Sequence, residues 1–560
     1  MIGHFKRATL LAAPCLMLRM LPATAGTAVF SLQSATISDI HAAYSAGALT
    51  CTQLTQLYLN RVAAYNNAGP GLNAAVVLNP DASNDALMED VQRSQGIIPG
   101  PLYGVPVLIK DSYNVKGLPT TNGVGAFKSL VATEDSFAVK QLRAAGAIIL
   151  GKANMSTWAE SYDGISQAYG PVLNPYVPNR TTGGSSSGPG VGAAADLATF
   201  TMGGETGGSI RVPSTHQSLV GLKTSAGLIS VDGIWPLAPE RDVIGPIAKS
   251  VEDVAVAMDV LVAYDPKNIW NSFLPNIVRP VSYVNYLNNK SLQGKVIGLP
   301  RPYIGKGDPA NGPSYPLDPQ VAAVFEQAKR VLAAEGATLV EVDIPAYKTW
   351  NVGGRPGYNS SNTGDAESRS YYYEQLIKGY NNEQIKSFVD LLNIIPQNDP
   401  YYNSLIKSSA DLISSGKAQP FDQLPQVSQS LQFIFKLRTE QYEDFMKANG
   451  IDAFVFPTLN YLAPPLATKG DAVYAVYGSL PARIEANYLG LPAITVPMGY
   501  SKEGIPMSLE FMGKYFDEAG IISYAYDYEQ ATRLRRPPAL VPPLAGEVFQ
   551  YSVSEPTTAR

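Results

Sequence analysis

Two clusters of serine set among glycines carry the first chemistry this chain offers. The first reads Gly183-Gly184-Ser185-Ser186-Ser187-Gly188, the second Gly203-Gly204-Glu205-Thr206-Gly207-Gly208-Ser209. An Ala-rich, almost uncharged segment joins them from Val191 to Phe200, a composition that suits a short buried helix. Glycine-rich turns on either side of such a helix let the backbone come close to a ligand and aim several N–H groups one way. Three readings compete. A flexible Gly/Ser linker does not enclose an apolar helix. A phosphate cradle would carry G-x-x-x-x-G-K-[ST], or G-x-G-x-x-G leading directly off a strand, and the stretch has neither. The third is a serine nucleophile beside an oxyanion hole. Its partners have to decide between them.

A serine needs a base. The chain has three histidines. His4 belongs to a leader, His41 to an N-terminal surface-type helix, and His216 stands close behind the second cluster, where a Ser-His-Asp arrangement could use it. G-x-S-x-G spacing is met around Ser186, from Gly184 to Gly188. The strand that such an elbow needs is missing, because Pro178-Asn179-Arg180-Thr181 leads in. No H-E-x-x-H or C-x-x-C occurs, so no metal is expected, and no cofactor either. A neutral lysine can also activate serine, since burial and nearby positive dipoles lower its pKa. Lys110 is the best candidate: it ends the apolar run Val105 to Ile109, ahead of the glycine-rich loops. Its ordinary alternative is a lysine that reaches solvent or pairs with Asp111.

The elements that must position these residues read as α/β. Val105 to Ile109 and Ala147 to Gly151 are continuous apolar runs of the kind buried on both faces of a sheet, with a helix over Ser136 to Ala145 between them. Strand, helix and strand in close succession predict βαβ units and a mostly parallel sheet, and a lysine at a strand end stands where open α/β sheets keep their ligands. A helix pair over Ile37 to Ala64 is predicted, with Ser38 and Thr50 as caps. Leu72 to Leu78, Leu219 to Lys223 and Asp242 to Pro246 are predicted strands, and Ala82 to Arg93 and Val251 to Val262 helices. Pro266 to about Gly450 is richer in Tyr, Asn and Pro and reads as a variable helical segment packed on the core. Its elements are helices over Gln320 to Ala334, Glu383 to Asn393 and Gln426 to Ala448, and a strand over Thr338 to Val342. Core character returns at Ile451 to Thr458. Ala482 to Leu489 reads as a helix, Ala493 to Pro497 and Met507 to Met512 as strands, and Glu518 to Arg533 as a final helix.

At 560 residues, 45% hydrophobic and 16% charged, the chain is globular and long enough for one large core or two domains. A net charge of −5 without a Lys/Arg block argues against nucleic acid as a partner. Lys6 and Arg7 precede an apolar run from Ala8 to Leu18, and Ala23-Thr24-Ala25 makes a cleavage site. Residues 1–25 are therefore expected to be a secretory signal, too short for a comfortable membrane span, leaving the rest secreted. An N-terminal helix or a mitochondrial presequence is the alternative. Cys15 would leave with the signal, and Cys51 alone would make no intramolecular disulfide. Sequons stand at Asn154, Asn179, Asn289 and Asn359. The polar surroundings of Asn289 and Asn359 favour glycosylation; Asn154 and Asn179 lie nearer the expected core.

The pieces also occur together in a recognisable order. Gly104-Val-Pro-Val-Leu-Ile-Lys110-Asp111, Gly183-Gly184-Ser185-Ser186, Glu205 through Ser214, Gly221-Leu-Lys223 and Gly490 through Pro497 resemble the amidase signature family of serine hydrolases over roughly Ile37 to Pro537. The N- and C-terminal flanks look most like bacterial peptide amidases and their secreted fungal relatives. The resemblance implies one large domain over 26–560, a mixed central sheet flanked by helices. Its signature core would span about 70–260, the variable segment about 266–450 and the core return about 451–537. It implies Ser209 as nucleophile and Ser185, after a cis bond from Gly184, as bridging serine. Lys110 would be the base, and the N–H groups of Thr206, Gly207, Gly208 and Ser209 the oxyanion hole. A small-molecule or peptide amide, above all a peptide C-terminal amide, is the implied substrate. Ser186 and Ser187 are expected to shape the loop, and Arg211 to pair with a carboxylate such as Glu205. Ser187, Pro189, Glu205 and Thr224 depart from the common pattern without removing a catalytic group. Two further readings stay open: an amidotransferase A-type subunit on the same core, and a catalytically silent secreted binding protein.

Overall fold

The computed structural model describes residues 26–97, 100–274, 277–307, 315–345, 365–466 and 483–553. The strands in chain order are β1 (Gly26–Ser31), β2 (Ala75–Leu78), β3 (Pro106–Lys110), β4 (Ile148–Ala153), β5 (Ile165–Ser166) and β6 (Gly170–Pro171). Next come β7 (Phe200–Glu205), β8 (Val220–Lys223), β9 (Val243–Ala248), β10 (Val296–Pro300) and β11 (Thr338–Val342). The last are β12 (Ala453–Pro457), β13 (Ala493–Tyr500), β14 (Pro506–Met512) and β15 (Val548–Val553).

Eleven of these form one sheet in the order β11-β10-β12-β14-β13-β8-β9-β7-β3-β4-β2. It is mixed: β7, β3 and β4 run parallel, as do β12, β10 and β11, while β14, β13, β8 and β9 join the two groups through antiparallel pairs. Every residue of β3, β4, β12 and β14 is buried, as their largely apolar sequences suit strands covered on both faces. The helices Phe137–Ala144, Val251–Leu261 and Glu518–Thr532 supply part of that cover through Val139, Met258 and Ile521. The molecule is a single mixed α/β domain. No helix among the described residues is long and apolar enough to cross a membrane.

The variable segment does more than pack on the core. Its strands β10 and β11 extend the main sheet, with Val296 opposite Thr338 in register. Its longest helix after these, Asp365–Gly379, was not foreseen; Tyr373 and Ile377 bury one side of it among Trp158, Trp235 and Phe388. The helix expected over Glu383 to Asn393 is reduced to two short turns, Phe388–Asp390 and Leu391–Ile394. That expected from Gln426 to Ala448 is interrupted by a wider turn at Thr439–Glu443. At the N-terminus the first helix is capped by Thr36, in a reciprocal pair with Asp39, and not by Ser38. Part of the Ala482 to Leu489 expectation lies outside the described residues; Arg483–Tyr488 forms a wide helical turn.

The joining segment differs from its reading in a way that matters for the site. Its helix is Ser187–Ala194 and begins inside the first serine cluster. Phe200 then opens β7, which runs through Gly203 and Gly204 to Glu205. The second cluster thus hangs off a strand end and is not a free glycine turn. Gly203 is closely approached: a Cβ there would lie 2.9 Å from Ile247 Cδ1 on β9, the movable end of that side chain.

Candidate active site

Three strand ends converge on one cavity. Lys110 ends β3, Glu205 ends the neighbouring β7, and Asp242 immediately precedes β9, where Val243 pairs with Glu205. Lys110 Nζ donates to Ser185 Oγ at 2.9 Å and to the Gly204 carbonyl at 3.0 Å. The Gly184–Ser185 bond is cis. Lys110 does not pair with Asp111, whose carboxylate turns to Lys152 at 3.1 Å and to the hydroxyl of Thr121. Alternation along the strand sends the two side chains to opposite faces. Burial pushes the Lys110 amine down to about 7, with Asp242 and Glu205 pulling the other way. A lysine with that value is substantially neutral at physiological pH and can accept a proton.

Ser186 laces the two clusters together. Its Oγ donates to the Gly204 carbonyl at 3.1 Å and accepts from the Gly204 N–H at 3.2 Å, while its own N–H donates to the Ser209 carbonyl at 3.3 Å. Ser187 opens the following helix, and among the described residues its hydroxyl has no hydrogen-bond partner. Ser209 faces a polar cleft of about 180 Å³ whose walls include Tyr162, Thr206, Gly207, Arg241 and Arg369. Tyr162 Oη donates to the Gly207 carbonyl at 2.5 Å, which fixes that peptide. The N–H groups of Gly207, Gly208 and Ser209 donate to no described residue. Such unspent donors on a rigid turn suit a developing oxyanion. The Lys110 cavity, about 40 Å³, shares Ala159, Thr206 and Leu237 with the cleft. A larger cavity of about 300 Å³ lies beyond Ile234 and Pro236 but contains neither Lys110 nor the three serines.

The loop from Glu205 to Arg211 is held from below by a buried ionic network. Glu205 accepts from the N–H groups of Ile210 and Arg211 at 3.0 and 3.1 Å, and from Arg211 Nε at 2.9 Å. Arg211 also donates to Glu510 at 2.7 Å and to Asn487 at 2.8 Å. Burial would raise the Glu205 carboxyl; the Arg211 guanidinium and its hydrogen bonds hold it below the usual range. Burial leads at Glu510, pushing it up to about 7.

The histidines are not brought to the reaction centre as bases. Burial pushes His216 down to about 3, so it stays neutral, set beneath Gly183. His41 bonds the Tyr103 carbonyl at 3.0 Å in a different core cluster. Sequence reasoning missed Asp242, Tyr162, Asn487 and Glu510. Asp242 opens a predicted strand, but only the strand order brings that strand end to Lys110.

Comparison with known proteins shows the family of the chain. The family described as Amidase matches residues 53–522. A probable amidase of Arabidopsis thaliana is 31% identical over 526 residues, 92% of this chain and 93% of the relative. The A-type subunit of the glutamyl-tRNA(Gln) amidotransferase of Koribacter versatilis is 31% identical over 86% of this chain and 95% of that protein. Among solved structures, the native peptide amidase of Stenotrophomonas maltophilia superposes with a TM-score of 0.73 at 32% identity, over 90% of this chain and 99% of its own. The match covers β3, both serine clusters and the return of the sheet at β12 to β14, so the chain belongs to the amidase family.

Proposed function

We propose that this amidase hydrolyses carboxamides through Lys110, Ser185 and Ser209, with peptide C-terminal amides or small carboxamides as substrates. The observation that carries the reading is the buried 2.9 Å contact from Lys110 Nζ to Ser185 Oγ, beside a loop that presents Ser209 to a polar cleft. Neutral Lys110 takes the Ser185 proton as Ser185 takes that of Ser209. Ser209 Oγ attacks the amide carbon, and the N–H groups of Gly207, Gly208 and Ser209, with that of Thr206, receive the oxyanion. The proton returns through Ser185 to the leaving amine, the C–N bond breaks, and water hydrolyses the ester on Ser209 by the same relay. The peptide-amide preference is supported by similarity to the peptide amidase of Stenotrophomonas maltophilia.

Intact mass after fluorophosphonate treatment tests the assignment. One adduct is expected on the wild type, none on Ser209→Ala, and a much slower one on Lys110→Ala. Labelling that survives Ser209→Ala overturns it. The second reading, a transamidase component, draws on the 31% identity to the Koribacter versatilis amidotransferase. It predicts a stable complex with other subunits and little turnover of free peptide amides, where the amidase reading predicts turnover by the purified chain.

Export is part of the proposal. The leader over 1–25 ends beside Gly26, the first residue of β1. Expression in a secreting host should release a protein whose N-terminal residue is Gly26. Of the sequons, Asn289 and Asn179 are exposed, whereas Asn154 is buried and donates to the Asn73 carbonyl at 3.0 Å; Asn359 lies outside the described residues. Exposure makes Asn179 a better glycosylation candidate than its neighbourhood in the sequence suggested.

A further inference from the structure

The relay accounts for Lys110, Ser185 and Ser209 but leaves one carboxylate on the wall of the lysine cavity without a task. Asp242 sits where β9 begins, opposite the end of β7 in the sheet register. Its Oδ1 accepts from the hydroxyl of Thr206, the first residue of the oxyanion loop. Its Oδ2 accepts from the N–H groups of Leu237 and Ala238 at 2.7 and 2.9 Å. Leu237 and Ala238 line the Ser209 cleft, and Thr206 borders both that cleft and the lysine cavity. Three donors converge on a carboxylate, and an ionised carboxylate is the form that only accepts. One side chain therefore ties the nucleophile loop to the opposite wall and sets a carboxylate on the wall of the lysine cavity; burial raises that carboxyl, while the three donors favour its ionised form.

We propose that Asp242 is a positioning residue of the reaction: it clamps Thr206 against the 237–238 turn and sets its carboxylate in the cavity of the Lys110 amine. This rests on Lys110 as the base. The groups that face the amine are few. Glu205 contributes negative charge from β7, but Arg211 compensates it. Asp111 is turned away and paired with Lys152. Tyr113 gives its hydroxyl proton to the Gly203 carbonyl. Around Asp242 itself stand Arg241, Tyr373 and Lys110. Burial lowers the proton affinity of Lys110, and of the charges that oppose it Asp242 is the larger. Without that charge the amine would lose its proton at lower pH.

The test is the pH profile of kcat/KM on a small amide for the wild type, Asp242→Asn, Asp242→Glu and Thr206→Val, with circular dichroism and thermal unfolding for each. In Asp242→Asn the acid limb should move to lower pH by about half a unit or more, and the plateau should fall about tenfold or more. Thr206→Val and Asp242→Glu keep the charge and disturb the clamp. Their plateaus should fall while the limb stays within about 0.2 units of wild type. A limb unmoved in a folded Asp242→Asn overturns the proposal. So does a downward shift in Asp242→Glu, which decides the matter if the asparagine variant does not fold. The underlying reading fails separately: Lys110→Ala would then label at the wild-type rate.

Discussion

At the scale of single residues, the proposed relay depends on a lysine whose burial lowers its proton affinity. Because Lys110 is depressed to about 7, kcat/KM should climb with pH through that value and level off above it. The same depression affects stability. Folded Lys110 titrates near 7 and its unfolded counterpart near 10.5, so between these values the unfolded chain binds the extra proton and stability rises with pH. Below pH 7 the penalty is complete. Lys110→Met removes it, so at pH 6 the variant should unfold at higher urea than wild type, by about 2 kcal/mol, while losing about a thousandfold in activity. The gap should close towards pH 10. Lys110 and Ser185, which the fold brings to 2.9 Å, were singled out together with Ser209 through the family resemblance of their motifs, since each local signal alone was weak. Asp242 was not, since its meaning comes from a strand register that pairs residues far apart in the chain.

At the scale of elements, the serine clusters are precise because their supports leave no slack. Gly188 is the tightest point: a Cβ there would lie 2.3 Å from Asn154 N and 2.4 Å from Asn154 O, both backbone atoms of the segment after β4. Gly188→Ala should therefore cost about 3 kcal/mol by urea unfolding and lower activity with it. The Arg211 network makes a complementary prediction. Arg211→Met leaves Glu205 and Glu510 buried without their cation, and a cost of about 3–5 kcal/mol is expected. Protonation relieves part of it, so the variant should lose less stability at pH 5 than at pH 8, the midpoint difference narrowing as pH falls. Among the elements, apolar strands such as β3 and β4 were readable to within a residue or two. The helix Asp365–Gly379 was not, because its tyrosines and charges give no clean apolar stripe and its burial depends on Trp158 and Trp235 arriving from elsewhere.

At the scale of the molecule, the strand–helix–strand pattern pointed to a mostly parallel sheet, which the antiparallel pairs of β2, β8, β9, β13 and β14 correct; the mixed class followed from the family resemblance, and the strand order was not legible. That order depends on antiparallel crossings through β13 and β14, from the far end of the chain. The pairing of β1 with β15 left even less trace. Gly26 stands opposite Val553 and Ser31 opposite Val548, and just beyond, Arg61 holds Glu547 at 2.8 Å with both side chains buried. Removing residues 548–560 should expose 26–36 to limited proteolysis while leaving amide turnover intact, since neither strand touches the cleft. The geometry also sets a mechanical response. Gly26 and Val553, the outermost pair of the two strands, lie at the same end of an antiparallel ribbon, so a force pulling their flanking segments apart loads its hydrogen bonds one after another. A tethered molecule should unzip from Gly26 and Val553 at low tension, then halt at the Arg61–Glu547 clamp, where the load meets a buried ion pair.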